Sequence, residues 1–448
     1  MADTPQESVH RPGTPARRFY GRMARALGQL ICVGLALSTA DCGRAGAAQR
    51  ETLVFWAFGR EGEVVKSLVS EFDRENPDLH LVVQQIPWTS AHEKLLTAFV
   101  GKSTPDLAQL GNTWIPELAA IGALERLEDR VAGSTALSPS AYFSGVWQTN
   151  LYDGALYGIP WYVDTRVLYY RPDLLARAGY HEPPRDWETW HEAMRKIKAL
   201  QDPAAHPILL PTNEWEQATI LGLQEGSSLL SGDGTRGVFG EPPFAAAARF
   251  YADLFREDLA PMVSYTQIGN VYQEFARGNL AFWMTGPWNL GEFRRRLTPA
   301  EQDLWMTAPL PAPQTSGWPG TSFAGGSSFA LFRGSRSKAQ AWKLIEFLSQ
   351  PRIQARFYAL SGDLPARTAA WDDPSLSGDV KARAFRAQLE HVTPMPRVPE
   401  WEQIAQKLVE DLEPAVRGRE SVDKALARLD ADVDRILEKR RWMLSRKK

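Results

Sequence analysis

The chain has 448 residues, 44% hydrophobic and 23% charged, with 34 Gly and 31 Pro, the composition of a globular protein long enough for two or three domains. A formal charge of −2, from 51 Lys+Arg against 53 Asp+Glu, lacks the basic excess that a nucleic-acid backbone demands. A mean hydropathy of −0.32 excludes a polytopic membrane protein, and two cysteines supply neither a disulfide framework nor a Cys-rich zinc site. The 16 Trp, 19 Phe and 12 Tyr suit either a large core or a cleft that stacks sugar rings.

Residues 1–47 read as an export leader. Arg11, Arg17, Arg18, Arg22 and Arg25 form a basic start, residues 27–40 a short apolar run, and Ala45-Gly46-Ala47 a small-x-small cleavage pattern. Both cysteines, Cys32 and Cys42, lie inside it. The expected destination is the periplasm. Lipid anchorage through Cys42 is the alternative, against which stands Asp41, where a lipoprotein peptidase prefers a small residue. Arg17-Arg18 with Phe19 hints at twin-arginine export.

Beyond the leader, residues 53–56 read as a buried strand closed by Gly59. Val64, Val65, Leu68, Val69 and Phe72 then share one helical face, and Asn76-Pro77 stops the helix. Residues 79–86 alternate like a strand, 91–100 read as helix and 107–110 as a third strand, the rhythm of a parallel sheet covered by helices. The rhythm restarts after Gly158-Ile159-Pro160, with a strand at 167–170 and a helix at 187–200. Residues 309–326 carry four Pro and four Gly, too many breakers for a helix or a central strand. A helix over 337–360, broken at Pro351, and a long amphipathic helix over 421–441 complete the chain. The pattern fits two α/β lobes with several chain crossings, expected at 158–162, 281–286 and 323–329. The first lobe is expected to comprise 48–160 plus about 285–326, and the second about 161–284 plus 327–448. The basic end from Lys439 reads as a solvated helix end.

Familiar catalytic motifs fail in context. Gly232-Asp233-Gly234-Thr235-Arg236-Gly237 has the glycine spacing of a dinucleotide site but no preceding strand. Gly101-Lys102-Ser103 resembles the end of a phosphate loop, yet Leu96 replaces its first glycine. His191-Glu192 begins like a metalloprotease helix, but Arg195 stands where the second His must be, and the other histidines are dispersed. No metal, cofactor or nucleophile is nominated.

The run Leu156-Tyr157-Gly158-Ile159-Pro160-Trp161-Tyr162-Val163-Asp164, continuing to Arg171, resembles the bacterial extracellular solute-binding proteins of sugar ABC importers, closest to the trehalose/maltose-binding branch. The resemblance extends over Gly59-Arg60-Glu61-Gly62-Glu63, residues 101–106, Arg171-Pro172-Asp173-Leu174-Leu175, Pro183-Pro184 with Trp187, Gly286-Pro287-Trp288, Gly325-Gly326 and Leu364-Pro365-Ala366-Arg367. It implies a two-lobe, type II, maltose-binding-protein-like α/β fold with several hinge crossings. It also implies a monomeric receptor without cofactor, whose partners are a di- or oligosaccharide and a permease with a separate ATPase subunit.

By the same resemblance Glu61 is a ligand-binding acid, Tyr162 a ring contact and Asp164 a hydroxyl acceptor. Gly286 and Trp288 supply an aromatic platform, Gly325 and Gly326 close backbone contacts, and Arg367 a donor. Arg60, Trp88, Asn112, Trp114, Glu214 and Trp215 complete the expected lining. One departure stands out: trehalose/maltose binders carry an acid where this chain has Gly111, followed by Asn112. These residue types suit a sugar on physical grounds, since aromatic faces cover its C–H surfaces while carboxylates and Arg form charge-assisted hydrogen bonds to its hydroxyls. Trp187, Trp190, Trp283 and Trp342 sit in regular patterns and read as core; Trp88, Trp215 and Trp371 fit core and cleft equally. Asp106 reads as a strand-start hydrogen bonder. A secreted carbohydrate hydrolase is the alternative function, requiring a carboxylate pair for which Asp164 and Glu214 are the candidates.

Overall fold

The computed structural model describes residues 50–446; the leader, its cleavage pattern and both cysteines lie outside the described residues. The chain starts as expected, with β1 Glu51–Phe58, α1 Gly59–Glu75, β2 Leu79–Ile86, α2 Trp88–Val100 and β3 Leu107–Gly111. β1 pairs in parallel with β2 and β3, and its last four residues are all buried because both faces of this central strand are covered. Val64, Val65, Leu68 and Phe72 of α1 face the sheet. Asn76 ends the helix, its backbone N–H and its side-chain amide both donating to the Phe72 carbonyl. Asp106 does act at a strand start: its carboxylate accepts from the Val54 amide at 2.9 Å and the Ser335 hydroxyl at 2.6 Å.

Apart from a short antiparallel hairpin, Leu151–Tyr152 with Ala155–Leu156, the remaining strands divide between two sheets. They are β4 Ile159–Asp164, β5 Val167–Tyr170, β6 Ile208–Leu209, β7 Phe282–Thr285, β8 Met306–Ala308, β9 Ser322–Leu331, β10 Leu364–Pro365 and β11 Val392–Pro394. The large sheet has the order β10-β4-β9-β3-β1-β2, with β11 on β9; the small one has the order β8-β5-β7-β6. β9 runs antiparallel between β3 and β4 and joins the two halves of the large sheet.

Residues 322–326 are therefore the start of a central strand, not a loop. Their glycines serve close backbone approach: Gly326 has φ +135°, and a Cβ there would lie 2.2 Å from the Tyr162 carbonyl oxygen.

Chain crossings fall elsewhere than expected. The chain passes from the large sheet to the small one at 165–166, returns at 309–321, and leaves again at 395–400. Residues 159–162, 282–285 and 323–329 lie within strands that have hydrogen-bonded neighbours on both sides, so none of the three expected crossings is a connection between the sheets. The segment 285–320 goes with the small sheet, where Phe293 and Trp305 stack on Tyr169. The segment expected as one piece of the second lobe is shared: Phe347 packs on Phe72 of α1, whereas Trp401, Leu408 and Leu429 join the apolar cluster of Leu168 and Met284 in the small sheet. Trp187, Trp190, Trp283 and Trp342 are core, and so is Trp371, whose indole donates to the Pro365 carbonyl at 3.0 Å. Among the described residues no helix is long and apolar enough to cross a membrane.

Candidate functional site

Parallel strands leave their functional side chains at their carboxyl ends. Glu61 follows β1, Trp88 follows β2 and Trp114 follows β3. All three line one cavity of about 550 Å3, whose opposite wall comes from the small sheet and its helices, including Arg166, Trp215, Glu216 and Trp288. Trp88, Trp114 and Phe58 form an aromatic corner with ring centroids 5.2–5.9 Å apart. Trp215 sits 5.8 Å from Phe323 and 5.4 Å from Trp401.

A buried polar chain fixes the floor. Gln109, fully buried on β3, donates through Nε2 to the Tyr162 hydroxyl (2.9 Å) and to Ser327 Oγ (3.2 Å), while its Oε1 accepts from the Phe58 amide. Ser327 Oγ donates to Tyr162, which leaves the Tyr162 proton for Glu61 Oε1 at 2.9 Å. Trp88 Nε1 donates to the other Glu61 oxygen at 3.3 Å. Burial pushes Glu61 above the usual carboxylate range, against the pull of its helix-start amide, Tyr162 and Trp88. Asp363 lies well above its ordinary value, through burial first and then the charge of Glu61. Tyr162 is thus a positioning residue as well as a wall, because its hydroxyl is committed to Glu61.

Arg166 organises the opposite wall. Its Nη1 donates to Asp164 (2.5 Å) and its Nη2 to Glu216 (2.8 Å), and its guanidinium lies over the rings of Trp288 (4.6 Å) and Phe323 (5.2 Å). Burial opposes its charge, but Asp164, Glu216 and Glu214 outweigh that and raise its pKa. Burial also raises Asp164 and pushes Glu216 up to about 7. Glu214 accepts from Gln217 at 2.6 Å. The two carboxylates considered for hydrolysis are therefore engaged in unrelated contacts, Asp164 with Arg166 and Glu214 with Gln217. At the rim, Glu402 begins the helix Trp401–Val416, which touches the turn Asn112–Trp114 on the other side. Burial raises Glu402, and the hydrogen bonds from Thr113 and the charge of His92 oppose it.

Of the residues expected from sequence, Arg60, Glu61, Trp88, Asn112, Trp114, Tyr162, Asp164, Glu214, Trp215, Trp288, Gly325 and Gly326 line this cavity. Asn112 does so with its side chain held from behind: its amide donates to Thr149 (2.6 Å) and its carbonyl accepts from Ser328 (3.0 Å). Gly286 is not in the lining. It underlies Trp288, since a Cβ there would fall 1.9 Å from the indole, and its carbonyl accepts from Tyr169 at 3.0 Å. Arg367 is outside as well. Its guanidinium donates to the Ala136 carbonyl at 2.7 Å and lies over Tyr142, so it braces a loop.

Sequence reasoning missed Arg166, Glu216, Phe323, Ser327, Asp363 and Glu402, all of which line the cavity. Arg166 had a local signal, standing two residues beyond Asp164 and able to pair with it. Asp363 and Glu402 had none, because distant segments bring them in. Among the described residues no three His, Cys, Asp or Glu side chains are placed to hold a metal ion.

Residues 59–355 match the family of bacterial extracellular solute-binding proteins. The chain is 48% identical to the sugar-binding protein MalE from Xanthomonas citri, whose structure superposes with a TM-score of 0.83 over 88% of this chain and 99% of that one. It is 27% identical to the diacetylchitobiose binding protein of Streptomyces coelicolor, across 82% of this chain and 87% of that one. It is 24% identical to the galactooligosaccharide-binding protein of Bacillus subtilis, across 89% and 93%.

Proposed function

The chain belongs to the bacterial extracellular solute-binding protein family, and from that premise we propose that it is the exported receptor of a sugar importer. It captures a di- or oligosaccharide of trehalose or maltose type between two lobes built on the two sheets. It then presents the sugar to a membrane permease whose separate ATPase subunit drives transport. The receptor works as a monomer in the periplasm and requires no cofactor.

The observation that carries this reading is the composition of the cavity. Four tryptophans, Trp88, Trp114, Trp215 and Trp288, alternate with Glu61, Asp164, Arg166, Glu216 and Asp363, and both sheets contribute. Apolar ring faces and charged hydrogen-bonding groups at this density match the two surfaces of a sugar. The names of the relatives support the ligand class; Gly111 in place of an acid leaves the choice of sugar to experiment.

A thermal-shift screen of residues 48–448 against mono-, di- and oligosaccharides tests the proposal. A sugar at 100 times its Kd stabilises by about 2.7 kcal/mol, which a melting curve resolves. Calorimetry should then show that Trp288→Ala loses about 2 kcal/mol or more of binding, the scale of an aromatic anchor, while remaining folded, because Trp288 is only partly buried. A screen without a single responding sugar would overturn the reading.

A further inference from the structure

Most of the chain is acidic and its end is not. Residues 48–438 carry 39 Lys and Arg against 50 Asp and Glu, whereas residues 439–448 carry six Lys and Arg and no acid. The helix Glu438–Ser445 opens this basic end, and not one of its eight residues is buried. Trp442 is 54% exposed and Met443 43%, so two large apolar side chains stand side by side in water. Lys439, Trp442, Met443 and Arg446 are all exposed, and their helical spacing places them on one face. Glu438 is the one acid of this helix.

The opposite face holds the helix in place. Arg440 donates to the Gly234 carbonyl at 3.1 Å, and Arg441 donates to the carbonyls of Thr235 (2.7 Å) and Asp434 (2.5 Å). The loop 232–237, whose glycines mimic a dinucleotide site, is thus the seat of this helix. Asp432 and Asp434, on the preceding helix, pair with Arg435 (2.9 Å) and with Arg236 (3.2 Å). Lys439 and Arg446 are left without an ion pair among the described residues. Arg446 lies over the Trp442 ring at 4.0 Å, so indole and guanidinium point outward as one unit.

We propose that this face docks on an anionic phospholipid surface, with Trp442 and Met443 at the headgroup boundary and Lys439 and Arg446 among the lipid phosphates. Tryptophan flanked by cations on one side of a surface-lying helix is the composition that this boundary selects. Four side chains fall far short of the roughly 20–30 residues that each side of a stable protein interface contributes, which favours lipid over an acidic protein. The acidic remainder of the chain is repelled by such a surface, so the contact is confined to this end and stays reversible. The proposal goes beyond the receptor reading and does not depend on which sugar is bound.

Vesicle co-sedimentation with purified protein lacking residues 1–47 tests it, since an apolar leader would itself bind lipid. At low salt, phosphatidylcholine vesicles with about 30 mol% phosphatidylglycerol should bind the protein about tenfold more tightly than phosphatidylcholine alone. Salt at about 0.5 M should abolish the difference. Lys439→Glu with Arg446→Glu should weaken binding by about tenfold or more. Trp442→Ala should weaken it by about threefold or more with the charge unchanged. All three side chains are exposed, so melting temperatures should stay at the wild-type value. Lys66→Glu with Lys343→Glu makes the same charge change at exposed positions on two other helices and should bind as wild type does. Absent vesicle binding, or binding that the control pair weakens as much as the test pair, overturns the proposal, and so does binding that Trp442→Ala leaves untouched. If the Lys439→Glu, Arg446→Glu protein fails in sugar uptake while the intact protein ignores vesicles, an acidic protein partner takes the place of the lipid.

Discussion

Residue by residue, the site is a set of carboxylates, Glu61, Asp164, Glu216, Asp363 and Glu402, whose pKa values burial raises above the ordinary range. Asp363 is the extreme case, buried at 4% exposure beside Glu61, and it faces the cavity with no guanidinium or ammonium within 4 Å among the described residues. Burial, then the charge of Glu61, raises it well above its ordinary 3.8. A carboxyl whose folded-state pKa is raised favours the fold below its ordinary pKa, and that contribution is lost as pH rises through the folded-state value. Replacing it with a neutral isostere removes the loss. The sugar-free Asp363→Asn protein should therefore melt a few degrees above wild type at pH 8 and at the same temperature at pH 4. Scanning calorimetry at the two values checks this. An equal shift at both values would assign Asp363 a packing role. Glu61 and Tyr162 were legible in the sequence because they stand in local motifs. The Gln109–Ser327–Tyr162 network that positions them was not, since its members come from three strands distant along the chain.

Among the elements, β9 contributes most to the site and was the least legible. Its Gly325-Gly326 reads as loop when glycine is taken only as a breaker, yet the pair lies where β9 crosses β4, in register with Asp164 and Val163. The glycines let the two backbones approach at the point where both strands deliver cavity residues. Gly326→Ala forces a side chain into φ +135° and onto the Tyr162 carbonyl. Backbone strain of that kind costs about 1–3 kcal/mol, and the contact adds to it. The variant should unfold at lower denaturant concentration and bind sugar more weakly, because Tyr162 and Asp164 move together. Chemical denaturation with parallel calorimetry checks both effects; unchanged values for both would show that β9 yields without moving β4. By contrast α1, α2 and the parallel strands were legible, since their apolar spacing and stops are local.

At the scale of the whole molecule, the rhythm of strands and helices announced two α/β halves, but periodicity cannot say which sheet a strand joins. That choice is made by long-range pairing, such as Phe329 of β9 opposite both Gln109 and Ile159. The pairing leaves the halves joined by the connections at 165–166, 309–321 and 395–400, with the cavity between them. On one side of the cavity Gly291 and Gly362 bring the helices Trp288–Arg296 and Pro351–Ser361 into backbone contact, and the first of these carries Trp288. At the rim the helix of Glu402 touches the turn that carries Trp114. In the proposed receptor, a sugar held between Trp88 and Trp114 on one half and Trp215 and Trp288 on the other enters by opening of that rim contact. In that proposal the glycine contact, with little side-chain bulk, serves as the pivot. Saturating sugar should therefore reduce the radius of gyration measured by solution scattering, with the sugar-free protein more extended. Gly291→Val places a side chain where a Cβ already lies 2.6 Å from the Ser361 carbonyl. It should hold the halves apart, keep the larger radius with sugar present and weaken binding. A scattering profile that stays the same when calorimetry proves the sugar bound would mean that the cavity admits its ligand without hinge motion.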